Sequence, residues 1–152
     1  MAASTDHDIS VLNELISVTL DSARGYEEAA ENAKNPTFKS MFVKRAAERR
    51  RIVGDLQARV RSRGGKPADD GSALAAAHRM FVNLKSALGT SDKATIEEVE
   101  RGEDHIKEQY EDAMQDDDLS PSVREAVRIH HASIKADHDS VSEMKHRIEA
   151  AE

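Results

Sequence analysis

Carboxylates stand where apolar side chains would be expected along one face of residues 94–115. On this segment the inward positions recur at alternating intervals of three and four residues, which predicts a helix that packs against partners. Glu103 occupies one of these positions, and Glu100 lies on their flank. Removing a carboxylate from water is unfavourable by several kcal/mol unless it meets a cation, a metal or hydrogen-bond donors. The other helices must therefore supply its partner.

Polar side chains also lie in or beside the inward faces of the other three long predicted helices. The first carries a tyrosine and a glutamate, the second two arginines, and the last two histidines and an aspartate. Most fall near the middle of their helices, where bundle proteins place the carboxylate and histidine ligands of metals. The same placement suits an ion-pair network in which bases of the second helix neutralise acids of the third. The candidate residues are Tyr26, Glu27, Arg45, Arg49, Glu100, Glu103, Tyr110, His130, Asp137 and His138.

A carboxylate-bridged di-iron site has a stricter pattern, which this sequence does not meet. Such a site takes one glutamate from each of two helices and a Glu-x-x-His motif from each of the other two. Three residues after Glu48 stands Arg51, and three residues before His138 stands Lys135, so both motifs fail. Iron, zinc or manganese therefore remains only as an alternative with atypical ligands. The candidate ligands for it are Glu27, Glu100, Glu103 and His138.

The histidines of the last predicted helix suggest a second kind of metal site. His131 and His138 share one flank, two turns apart, and with Asp137 nearby they could bind a single transition ion. Histidines in a helical seam are more often hydrogen-bonded core or rim residues, and the His-x-x-x-His spacing of hemerythrin-like sites is absent. Tyr26 and Tyr110 are interpreted as seam residues with hydrogen-bonded hydroxyls rather than as redox groups.

Long amphipathic helices must position these side chains. The three prolines and four of the seven glycines fall between the periodic segments or at their first positions, where they disturb helices least. Asp8 is predicted to cap the first helix, and Asn35 and Ser120, each followed by proline, to cap two others. Gly64 and Gly65 are expected to end the second helix. The predicted organisation is a flexible segment at 1–8 and an all-α bundle at 9–149, with helices at about 9–34, 36–63, 72–88, 92–115 and 121–148.

Composition narrows the function classes. The 152 residues predict one domain, with an aliphatic core because aromatics make up only 3%. The net charge of -7 argues against nucleic acid as the main partner. Opposite charges concentrate in 37–63 and 94–118, which favours two helices that neutralise each other. The absence of cysteine, together with the lack of an apolar run of roughly 18 residues, predicts a soluble cytoplasmic protein with no membrane partner.

Three stretches resemble a bacterial family of four-helix-bundle proteins of uncharacterised function. They are GYEEAAENAKNPTFKSMF at 25–42, HRMFVNLKSAL at 78–88 and VERGEDHIKEQYEDAM at 99–114, and the likeness extends over about 9–148. That family belongs to the ferritin-like superfamily and is distantly similar to rubrerythrin. The resemblance implies a ferritin-like four-helix bundle with an additional helical crossover between its second and third long helices. It also implies that these two helices run parallel, because the crossover returns the chain to its starting end.

The rubrerythrin pattern, carried over onto these positions, supports Glu103 and departs at the second long helix. There Arg49 and Ile52 stand where the metal-binding glutamate and histidine would be. This departure leads to the hypothesis that Arg49, with Arg45, supplies the missing cation and pairs with Glu103 or Glu100.

Two classes of function follow from these patterns. The favoured one is a non-enzymatic, stress-associated structural or interaction protein without a cofactor, and the alternative is a metal-binding protein or di-iron oxidase. DNA protection in the manner of mini-ferritins is a third class, against which the lack of a basic tail counts. The charged faces and the small residues in the second half of the first helix favour self-association as a homodimer.

Overall fold

The computed structural model describes residues 2–69 and 90–151, whose regular elements are all helices. Four long helices form a bundle, which confirms the predicted ferritin-like four-helix architecture. The predicted crossover helix at 72–88 lies outside the described residues. The helices are α1 (Ala2–Asn32), α2 (Pro36–Ser62), α3 (Asp92–Met114) and α4 (Pro121–Ala151).

Contacts between helix ends fix the direction of each helix. The Asn35 side-chain amide donates to Asp92 Oδ2 at 3.2 Å, which places the starts of α2 and α3 at one end of the bundle. At the other end, Arg63 Nη2 donates to Ser122 Oγ at 3.0 Å, so the end of α2 meets the start of α4. The helices α2 and α3 are therefore parallel, as the family resemblance implied.

Capping residues stabilise both ends of α2 and the start of α3. Asn35 accepts hydrogen bonds from the backbone N–H groups of Thr37 and Phe38 at 2.9 and 3.3 Å, and Pro36 takes the first helical position. At the other end of α2, Gly64 adopts a φ of 79°, which glycine tolerates without strain. Ser91 caps α3 by accepting from the Ala94 N–H at 3.0 Å.

The prediction that Asp8 caps the first helix is wrong. The helix α1 begins at Ala2, so most of the segment predicted as flexible is helical. Asp8 is 2% exposed and serves the start of α4 instead. Its Oδ1 accepts from the Ser120 backbone N–H at 3.0 Å and its Oδ2 from the Ser120 hydroxyl at 2.5 Å. An anion is favourable there because a helix N-terminus carries partial positive charge.

The apolar core is divided into two clusters by a polar level in the middle of the bundle. One cluster lies towards the start of α1, with Leu12, Leu56 and Ile106 among its buried members. The other lies towards the α1–α2 turn and includes Phe42 and Val99. The small residues Ala29, Ala30 and Ala33 are buried in this second cluster, so the predicted use of that face against a second copy is wrong.

The bundle consists of two helical hairpins. α1 packs most extensively against α2, and α3 against α4, whereas the contact between α1 and α3 is smaller. No helix within the described residues combines the length and apolar character that crossing a membrane would require.

Candidate functional site

The polar level that separates the two apolar clusters contains one side chain from each helix. Ser22 comes from α1, Arg49 from α2, Glu103 from α3 and Asp137 from α4. Each replaces an apolar residue in the inward line of its helix, so the helical period brings all four to the bundle axis. We call these four residues the central layer.

Arg49 contacts the other three residues of the central layer and is fully buried. Its Nη1 donates to Ser22 Oγ at 2.8 Å, and its Nη2 donates to Glu103 Oε2 at 2.9 Å and to Asp137 Oδ2 at 3.1 Å. Burial alone would lower the pKa of Arg49, but the negative charge of Glu103 and Asp137 raises it above its ordinary value. The guanidinium therefore stays charged and acts as a fixed cation.

Tyr26 completes the hydrogen bonding of Glu103. Its hydroxyl donates to Glu103 Oε1 in a short bond, and its ring lies 5.7 Å from the guanidinium carbon of Arg49. Burial and the neighbouring carboxylate of Glu103 raise the pKa of Tyr26 well above 10. The phenol consequently stays neutral, so both oxygens of Glu103 have a donor.

Asp137 is shared by two arginines. Arg45 Nε lies 3.1 Å from Asp137 Oδ1, while Arg49 holds the other oxygen. The side chain of Asp137 is 16% exposed, so the ion pair between Arg45 and Asp137 lies between the central layer and solvent, where α2 meets α4. With Glu103 included, two cations face two anions, and the interior charge is balanced.

Glu48 is a functional candidate that the sequence indicates only as the start of an incomplete Glu-x-x-His motif. It lines the same groove as Asp137, and burial, followed by the influence of that neighbouring carboxyl group, raises the pKa of Glu48 to about 7. Its Oε1 is buried without a hydrogen-bond partner. The available signal was spacing, because Glu48 follows Arg45 by three residues and shares its helix face.

Arg45, Glu48 and Asp137 line an open groove between α2 and α4. Its volume is about 700 Å³, within the range of ligand pockets. The remaining wall is mixed, with hydroxyl groups, two methionines and one further cation. These residues are Pro36, Thr37, Ser40, Met41, Lys44, Ser140 and Met144.

The other residues in the predicted network form separate pairs outside the central layer. Tyr110 contacts Thr19 at 2.7 Å, and since the Thr19 hydroxyl donates to Leu15 O, Tyr110 is the donor. The rest join neighbouring helices nearer the surface. These pairs are Glu27 with Arg50 at 2.8 Å, Glu100 with Ser142 at 2.7 Å and with Lys145 at 3.0 Å, His130 with Asp55 at 2.7 Å, His131 with Glu111 at 2.9 Å, and His138 with Asp104 at 2.5 Å.

The four predicted metal ligands do not converge. Glu27, Glu100, Glu103 and His138 each contact a different partner, as described above. Burial alone would raise the pKa of Glu100, but hydrogen bonds from Ser142 and Lys145 lower it below its ordinary value. The di-iron centre that the fold family implies also does not fit, because the buried Arg49 guanidinium fills the space between Glu103 and Asp137.

A different set of three side chains lies close enough together to hold a metal ion. His7, Asp116 and Asp118 each offer a ligand atom, and the three atoms lie within 4.8 Å of one another. Among the described residues no other set of three has this arrangement. His7 Nε2 lies 2.7 Å from Asp116 Oδ2. The sequence does not indicate this group, because His7 lies in a segment predicted to be flexible and far along the chain from the acidic turn.

Comparisons with known proteins place the chain in a family. A family described as "Domain of unknown function (DUF2383)" matches residues 7–116. The chain belongs to this family. The match covers most of α1 and all of α2 and α3, together with the residues of the central layer that these helices supply. No curated protein matches the sequence.

A solved structure shows the same fold. A chain described as a mutant of Mycobacterium smegmatis Dps1 is similar to this protein with a TM-score of 0.84 and 12% sequence identity. The similarity covers 95% of this chain and 99% of that chain. At this level of identity the likeness establishes the ferritin-like fold, while the family match gives no specific function.

Proposed function

We propose that this protein is a non-enzymatic, ferritin-like helix-bundle protein with a structural or interaction role. In this proposal it is a cytoplasmic bacterial protein, associated with stress, that descends from the rubrerythrin-like branch and has exchanged a metal site for an ion-pair network. The observation that supports the proposal is the Arg49 guanidinium, which is fully buried between Glu103 and Asp137. A fixed cation there gives the carboxylates the compensation that a metal would otherwise provide.

The test is the metal content of protein purified without a tag from unsupplemented cells. We expect substoichiometric iron, zinc and manganese, and the same content in the Glu103→Gln variant. Stoichiometric metal that disappears in Glu103→Gln would contradict the proposal. Circular dichroism of both proteins checks that the variant is folded, so that a change in metal content reports the site itself.

Metal binding through atypical ligands is the second candidate function, and it is favoured by the convergence of His7, Asp116 and Asp118. Metal bound in this way would survive Glu103→Gln and be lost in His7→Ala. The same two variants therefore separate an interior site from a surface site. Substoichiometric metal that neither substitution changes would leave the non-enzymatic function as the better account.

Self-association as a homodimer is part of the proposed interaction role. The described surface includes two large exposed apolar side chains, Val43 on α2 and Ile129 on α4, at 54% and 52% exposure. Sedimentation velocity over a wide concentration range is the direct measurement. A dimer that weakens in Ile129→Lys supports a contact through α4, whereas a monomer at all concentrations contradicts self-association.

A further inference from the structure

The open groove between α2 and α4 adjoins a smaller pocket at the end of the bundle. The groove has a volume of about 700 Å³ and the pocket one of about 300 Å³, and Thr37 and Met144 line both. Together they follow α2 from Glu48 back to its first turn, a path of roughly 16 Å at the rise of an α-helix. A cleft of this size and length fits an elongated small molecule.

One wall of the groove carries a carboxylate oxygen that lacks a donor. Oε1 of Glu48 is buried and has no hydrogen-bond partner. The guanidinium groups of Arg45 and Arg49 are engaged by Asp137. Arg49 also binds Glu103, so two anions already match the two cations. Glu48 adds a further negative charge to this group, and a buried acceptor without a donor is unfavourable. A ligand that donates a hydrogen bond to Glu48 removes this cost.

The charges around Glu48 favour a cationic donor. Lys44 lies one turn before it on the same wall, but Lys44 is exposed. An ammonium group in contact with water stabilises a neighbouring carboxylate only weakly. The net charge of -7 on the whole chain attracts cations as well. A positively charged donor is therefore favoured over a neutral or an anionic one.

The remainder of the cleft favours an aliphatic chain. Met41 and Met144 line the groove and pack against the second apolar cluster. Phe38 and Ile148 line the adjoining pocket. Methionine side chains are flexible, so they adapt to apolar ligands of different shapes. A ligand that is complementary to both parts of the cleft has a cationic donor at one end and an aliphatic chain at the other.

We propose that the groove between α2 and α4 binds a primary alkylamine, whose ammonium group donates to Glu48 and whose chain runs past Met41 towards Met144. Binding requires no movement of the helices, because the groove is already open. The site extends the proposed interaction role to small molecules. It is independent of whether the protein binds metal or self-associates.

The test is isothermal titration calorimetry of the full chain with hexylamine at pH 8, above the pKa of about 7 given for Glu48. Two matched probes separate the contributions of charge and chain. Hexanol keeps the chain without the charge, and hexanoate reverses the charge. We expect saturable binding of hexylamine that is at least about tenfold tighter than the binding of either probe.

Three variants locate the site. Glu48→Gln keeps the size of the side chain and removes its charge, so it should weaken hexylamine binding by about tenfold. Glu143→Gln is the matched control, because Glu143 is an exposed acid next to Met144 and does not line the groove. We expect it to change the affinity by less than about twofold. Ser140→Trp, on the α4 wall, should block the groove and abolish binding while Glu48 is retained. Circular dichroism checks that each variant is folded.

Several results would overturn the proposal. Absence of saturable hexylamine binding is one, and binding of hexanol or hexanoate as tight as that of hexylamine is another. Equal affinity in folded Glu48→Gln, or full binding in folded Ser140→Trp, would place the amine elsewhere. An equal loss in Glu143→Gln and Glu48→Gln would assign the binding to a general attraction of cations to an acidic protein.

Discussion

Removing Arg49 should destabilise the protein severely, and removing Glu103 as well should add little to that loss. Both side chains are 0% exposed and their charged atoms lie 2.9 Å apart. Arg49→Leu leaves Glu103 buried with only the Tyr26 hydroxyl as donor, and stranding a buried charge in this way costs about 3–5 kcal/mol. Arg49 in Glu103→Leu keeps Asp137 and Ser22 as partners, so we expect a smaller loss of about 3 kcal/mol.

The double variant leaves one cation, Arg45, opposite one anion, Asp137, so the interior charge is balanced again. Additive losses would total about 7 kcal/mol, whereas we expect the double variant to lose about 4, which corresponds to a coupling of about 3 kcal/mol. The measurement is urea-induced unfolding followed by far-UV circular dichroism at pH 6, where Glu48 is largely protonated. Urea is preferred to guanidinium because it does not screen charges.

A matched control is available one residue along α2. Arg50 pairs with Glu27 at 2.8 Å, but these side chains are 37% and 45% exposed. The same double-mutant cycle on this surface pair should give a coupling of about 0.2–1 kcal/mol. If the losses in the Arg49 and Glu103 cycle are additive to within about 0.5 kcal/mol, the two residues are not coupled and the reasoning from burial is refuted.

Further expected outcomes concern pH, capping and hydrogen bonding. The folded state holds the Glu48 proton more tightly than the unfolded chain does. The free energy of unfolding should therefore fall as the pH rises from about 4.5 to 7, by about 1–2 kcal/mol after allowance for the partial exposure of Glu48. Glu48→Gln should abolish this pH dependence in urea unfolding. Asp8→Ala should cost about 0.5–2 kcal/mol by thermal unfolding, and no loss would show that its contact with the start of α4 is unimportant. Tyr26→Phe should cost about 1–3 kcal/mol because Glu103 loses a donor, and it should exceed the cost of Tyr110→Phe, whose partner is neutral.

The tertiary structure selected among partners that the sequence left open. Helical periodicity put both Glu100 and Glu103 near the inward face of α3, but only Glu103 is level with Arg49, while Glu100 turns towards Lys145 on α4. Charge balance also required Asp137, whose place between two arginines depends on the axial position of α4 relative to α2. Packing across the bundle sets this axial position, and the periodicity of one helix gives no information about it.

The sequence by itself determined the helical class, several helix ends and the presence of charged side chains in the inward lines. These features are local, because proline, glycine and side-chain caps act within a few residues, and the helical period fixes which side chains share a face. Only the tertiary structure decided that His7 meets the acidic turn after α3 and that Glu48 faces Asp137 across a groove. Those contacts join residues that are far apart in the chain, and the relative positions of whole helices determine them.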